Sequence, residues 1–99
     1  MGKRLYVFSS GRLRRRQNTL VLENEDGKKF FPVEQVEEIH IFAEVDLNKR
    51  LLGFLSQQYI PMHFYNRYGH YIGTFYPREH YNSGYMLLKQ AEHYLDVKR

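Results

Sequence analysis

Cysteine is absent from the chain. That excludes a disulfide framework and a thiolate metal site, and it suits a reducing compartment. Tryptophan is absent too. No secretory segment stands at the N-terminus, and no apolar run approaches the roughly 20 residues that a membrane helix needs, so neither a membrane partner nor export by that route is expected. Catalytic signatures are missing as well. There is no Walker or G-x-G-x-x-G loop, and Gly69 and Gly73 fall on a β-hairpin, not before a helix. Ser9, Ser10, Ser56 and Ser83 belong to no G-x-S-x-G elbow. The five histidines, His40, His63, His70, His80 and His93, show no ligand spacing of the HExxH kind. His93 and Asp96 form an i, i+3 pair of the sort that helix surfaces produce by chance. On these residues no catalytic group, no metal ligand and no cofactor is expected of this chain.

Acidic residues are missing from the first 22 positions. That segment holds Lys3, Arg4, Arg12, Arg14, Arg15 and Arg16, six of the fifteen basic residues, and none of the eleven acidic ones, so it carries +6 and the remainder −2. A patch of this kind attracts phosphates, anionic lipid or an acidic protein surface. The plainer reading is a solvated hairpin edge whose charges block edge-to-edge pairing. What the chain does have is aromatic bulk, nine Tyr and seven Phe in 99 residues. That is enough for one domain with a core that needs no covalent staple.

Leu5–Ser9 and Thr19–Glu23 are β-rich, and Gly11 between them predicts a hairpin with the arginines on its tip and inner legs. Glu25-Asp26-Gly27 predicts a second turn. Phe30, Phe31 and Val33 predict a short strand, at whose edge or end Pro32 belongs. Val36–Phe42 alternates, with Ile39 and Ile41 on one face and Glu38 and His40 on the other. Asp46 looks like an N-cap for a helix carrying Leu47, Leu51, Phe54 and Leu55. Ile60, Met62 and Phe64 share a strand face, and a hairpin turning at Tyr68-Gly69 leads into Tyr71–Tyr76. The spacing of Leu87, Leu88, Ala91, Tyr94 and Leu95 predicts an amphipathic helix over 84–97. The fold class is therefore mainly β with helices (α+β), a small β-sandwich-like domain over 1–76, a linker at 77–83 and the first helix of a following region at 84–99.

Strand alternation puts Arg12, Arg14 and Arg16 on one face, with Leu13 and Arg15 on the other. Arg12, Arg14 and Arg16, with Lys3 and Arg4 beside them, are the candidate DNA-binding residues, since arginines on a hairpin position a duplex through its phosphates without reading sequence. Tyr65, Tyr68, Tyr71, Tyr76 and Tyr81 can stack on unpaired bases or fill the core and rim.

Two longer stretches, "KRLYVFSSGRLRRRQNTLVLEN" and "PVEQVEEIHIFAEVDLNKRLLGFLSQQYIPMHFYNRYGHYIGTFYPRE", resemble the N-terminal domain of the CRISPR adaptation integrase, the first of the core CRISPR-associated proteins. The wording is nearest to versions that accompany type I systems. The resemblance implies a β-rich domain ahead of a helical catalytic domain in a cytoplasmic prokaryotic homodimer. It implies DNA and a second small adaptation protein as partners. It also implies metal-dependent insertion of new spacers, with Mg or Mn held by a Glu, a His and an Asp of the helical domain. None of those three ligands falls on this chain. The competing readings are a stand-alone nucleic-acid-binding β module and a purely structural dimerisation domain. The arginines can equally meet acidic strand ends of another subunit, such as Glu37-Glu38 or Glu44 and Asp46.

Overall fold

Alternation decides which way each strand faces. In Lys3–Val7 (β1) Val7 is buried while Tyr6 is exposed, and in Val36–Ile41 (β5) Ile39 and Ile41 are buried while Glu38 and His40 are only half-buried. The computed structural model describes residues 2–77 in full and the backbone of Gly84–Leu88 and His93–Val97. The other strands are Gly11–Arg16 (β2), Thr19–Asn24 (β3), Gly27–Pro32 (β4), Val45–Asp46 (β6), Met62–Tyr65 (β7), Tyr71–Pro77 (β8), Gly84–Leu88 (β9) and His93–Val97 (β10); one helix spans Lys49–Gln57 (α1). They form a six-stranded sheet ordered β1-β5-β7-β8-β9-β10 and a four-stranded sheet ordered β4-β3-β2-β6. The mainly-β, two-sheet class expected from the sequence is what the structure shows.

One core joins both sheets and the helix. Leu13, Leu20 and Leu22 of the small sheet meet Val7, Ile39, Ile41, Met62 and Phe75 of the large one, with Leu51, Phe54 and Leu55 of α1 between them. Fully burying each such side chain contributes about 1.5–3 kcal/mol. The strand–helix–strand unit β5-α1-β7 gives parallel pairing, with His40 opposite His63. Asn48 caps α1, its Oδ1 accepting from the Leu51 N–H at 2.9 Å. The cap thus lies two residues beyond Asp46, which is taken up by β6.

The first hairpin is displaced from where the sequence suggests it. Ser9 and Ser10 carry the chain from one sheet to the other, and β1 pairs in parallel with β5, not with β3. The tight turn is Gln17-Asn18, with Gln17 in the left-handed region at φ 57°. Gly11 serves a close approach: a Cβ there would sit 2.6 Å from the Glu23 carbonyl oxygen. The turns at Gly27 (φ 126°) and Gly69 (φ 85°) fall where expected.

Residues 84–97 are a second correction. Strands β9 and β10 stand where apolar spacing predicts a helix, with β9 antiparallel to β8 and β10 antiparallel to β9. The outer edge of β8 offers a row of backbone donors and acceptors that a strand satisfies, whereas a short amphipathic helix gains stability only from a surface that buries its stripe. Residues 78–83 of the expected linker lie outside the described residues, as do His80, Tyr81 and the side chains of His93 and Asp96.

Candidate functional site

The arginine stripe is built by β2. Leu13 is fully buried, so the strand's pleat turns Arg12, Arg14 and Arg16 outward. Arg14 reaches Glu23 of β3 at 3.3 Å, and Lys28 reaches the same carboxylate at 3.5 Å. Among the described residues Arg12 and Arg16 form no ion pair. Val21, opposite Arg14 and Phe30 on this outer face, is only 2% exposed. Arg15 points the other way: its guanidinium lies 4.1 Å from the ring centre of Phe54, and its Nε donates to the Gln17 carbonyl at 2.8 Å. Lys3 and Arg4 do not join the stripe, because β1 belongs to the other sheet. Arg4 instead pairs with Glu38 at 3.2 Å. The structure therefore brings together three of the five candidate residues and separates the other two.

A second constellation lies on the outer face of the large sheet. Parallel register aligns Tyr6, His40 and His63 across β1, β5 and β7, and antiparallel register adds Thr74 of β8. Ring centres are 5.0 Å apart for Tyr6 and His40, and 4.8 Å for His40 and His63. One level further along, Phe8, Phe42 and Tyr65 stack at 4.9 and 4.3 Å. Phe8 is 71% exposed and Tyr6 49%.

Polar groups thread this aromatic ladder. Glu38 Oε1 lies 2.6 Å from His40 Nε2, and His40 Nδ1 lies 2.8 Å from the Tyr65 hydroxyl. His63 Nδ1 is 2.8 Å from Thr74 Oγ1, which also bonds the Tyr71 hydroxyl. The His40 hydrogen bond holds the Glu38 carboxyl below its ordinary range against a smaller opposing effect of burial, and His40, Arg4 and His63 add to the lowering. Burial, and then the neighbouring His40, push His63 below the usual imidazole range and favour its neutral form. Burial first, then Glu38, raise the Tyr65 hydroxyl. One ligand atom from each of Glu38, His40 and His63 lies within 4.8 Å of the others.

Sequence spacing misses this cluster, since 22 residues separate the two histidines in a chain of 99. The available signal is the strand–helix–strand order over 36–65, which favours parallel neighbours and so brings the outward faces Glu38-x-His40 and His63-x-Tyr65 side by side.

Residues 5–99 match the family described as CRISPR associated protein Cas1. The chain belongs to the Cas1 family. It is 60% identical over 95 residues to a CRISPR-associated endonuclease Cas1 of Thermotoga maritima, covering 96% of this chain and 30% of that protein. With the Cas1 endonuclease of Methanocaldococcus jannaschii it shares 45% over 94 residues, covering 95% of this chain and 29% of the relative. The match falls in the N-terminal part of these Cas1 proteins, so the chain spans under a third of their length. A solved Cas1 structure from Thermotoga maritima superposes with TM-score 0.76 at 60% identity, over 79% of this chain and 25% of that one. A partial Cas6-RT-Cas1–Cas2 complex shares the fold at TM-score 0.71 and 17% identity, over 80% of this chain and 24% of that one.

Proposed function

We propose that the chain is the non-catalytic N-terminal domain of a Cas1 DNA integrase/endonuclease that inserts new spacers into CRISPR arrays. In this reading it contributes dimerisation and sequence-independent contacts to the DNA backbone. The observation that carries the reading is the family match over nearly the whole chain. The relatives are described as endonucleases, and structural neighbours include a Cas1–Cas2 assembly and a casposase bound to its integration product. The arginine stripe supports a share in DNA handling. Arginines two apart on a strand stand about 7 Å from one another, a spacing at which each can meet its own phosphate, and a captured fragment must be held whatever its sequence.

The metal that the resemblance implies, Mg or Mn, finds no set of Glu, His and Asp ligands among the described residues. Glu38, His40 and His63 form a nitrogen-rich group, whereas Mg²⁺ requires oxygen ligands in octahedral array. In this reading strand-transfer chemistry is supplied by the parts of Cas1 proteins that lie outside the N-terminal stretch matched by this chain.

Dimerisation has its own support in the exposed Tyr6 and Phe8, apolar area that a two-fold contact would cover. A purely structural role for the stripe is favoured only by the engagement of Arg14 and Lys28 with Glu23. A chimera tests the reading. This chain replaces the corresponding N-terminal segment of the Thermotoga maritima relative, and spacer integration is measured with that organism's remaining adaptation machinery. Retained integration supports the reading, and a folded chimera that cannot integrate contradicts it.

A further inference from the structure

From the outer face of the large sheet we infer that Glu38, His40 and His63 form a binding site for a zinc-like transition-metal ion, separate from the catalytic metal chemistry and not required by it. The donor set is two imidazoles and one carboxylate, which selects zinc or a similar borderline ion over magnesium or calcium and leaves a coordination position open.

Three observations carry this. The three donor groups already converge to within 4.8 Å. Both rings are held from behind: His63 Nδ1 on Thr74 Oγ1, itself bonded to Tyr71, and His40 Nδ1 on the Tyr65 hydroxyl. That leaves the Nε2 atoms as ligands, and hydroxyls behind Nδ1 are the outer shell that fixes tautomer and ring orientation in metal-binding histidines. Finally, His63 Nε2 has no hydrogen-bond partner among the described residues, and Thr74, its anchor, is fully buried. Zinc at about 2.0–2.2 Å from each donor needs them within about 4 Å of one another. The two rings are stacked with their planes only 23° apart. Binding therefore turns them out of the stack until both Nε2 lone pairs meet one ion, and it opens the 2.6 Å contact between Glu38 and His40. Metal binding displaces the proton that His40 Nε2 shares with Glu38; in the neutral ring it moves to Nδ1, where the Tyr65 hydroxyl accepts it.

Arg4 competes for the same site. Its Nε lies 3.2 Å from the Glu38 oxygen that His40 also uses, and its side chain is 63% exposed and able to swing away. The cluster without metal is thus an ion-paired network in which Arg4 supplies the positive charge that the ion would bring.

Titration calorimetry of the chain with zinc chloride, in excess magnesium, is the test. One ion per chain is expected. His63→Gln and Glu38→Gln each weaken binding at least about tenfold, and Tyr65→Phe, which keeps the ring stack, weakens it about 10- to 100-fold. Arg4→Ala tightens binding, and His70→Gln leaves it unchanged. Circular dichroism confirms that each variant is folded, and Arg4→Ala tests the idea without touching a ligand. No saturable binding, binding untouched by His63→Gln and Glu38→Gln, or binding not tightened by Arg4→Ala overturns the inference.

Discussion

Replacing Arg12, Arg14 and Arg16 together by alanine removes three charges from one face of β2 while leaving Leu13 in the core and Arg15 on Phe54. Each phosphate contact contributes about 0.9 to the slope of log affinity against log salt, so three contacts contribute about 2.7. Arg14 counts for less, because leaving Glu23 offsets its gain on DNA. With Arg12 and Arg16 alone the slope changes by about 1.8, and the expected flattening lies between these values. At the upper figure, raising salt from about 50 to 200 mM weakens the parent by about 40-fold more than the variant. Fluorescence anisotropy with two duplexes of unrelated sequence gives both slopes, and the loss is the same for both. Stability changes by no more than about 0.5 kcal/mol, as for other exposed substitutions. Arg15→Ala behaves in the opposite manner: it leaves the slope alone and costs about 0.5–1 kcal/mol through the lost contact with the Phe54 ring. An unchanged affinity and salt slope in the triple variant refutes the reasoning. If that variant also dissociates from a dimer, the stripe is a subunit interface.

The chain alone is expected to leave plasmid DNA uncut in Mg²⁺ or Mn²⁺; cleavage that follows the protein peak and is abolished by EDTA would contradict this. Light scattering is expected to show a dimer with an isologous two-fold interface, and a monomer at high concentration counts against it. Acid should destabilise the fold in two steps. His63 is lowered from its ordinary 6.5, so the unfolded chain takes up that proton first and stability falls as pH drops below about 6.5 toward the folded value. Glu38 is lowered from 4.5, so its contribution is present above about 4.5 and is lost as pH falls through the folded value. Melting temperature followed against pH should lose the first step in His63→Gln and the second in Glu38→Gln; both steps surviving both substitutions would disprove the assignment.

Local features were legible in the sequence because local rules govern them. Alternation gave the faces of β2 and β5, and the glycines at 27 and 69 gave two turns, since φ > 0 is what those positions require. Long-range pairing was not legible. Ser9 and Ser10 read as part of a hairpin tip, yet β1 leaves for β5 because Leu5 and Val7 complete the core of the large sheet. That choice separates Lys3 and Arg4 from the arginine stripe. Likewise Glu38, His40 and His63 each look like isolated surface residues until strand register sets them side by side. The 84–97 segment shows the limit of periodicity: an apolar spacing that suits a helix is overruled by pairing with the free edge of β8.

DNA of any sequence is proposed to lie along β2. Arginine modification by phenylglyoxal, mapped by peptide mass with and without duplex, measures this directly. DNA should protect Arg12, Arg14 and Arg16 to the same degree for unrelated sequences, while Arg67, in the turn between β7 and β8, reacts as before. Equal modification of the three arginines with and without DNA, or protection confined to Arg4 and Arg67, would contradict it.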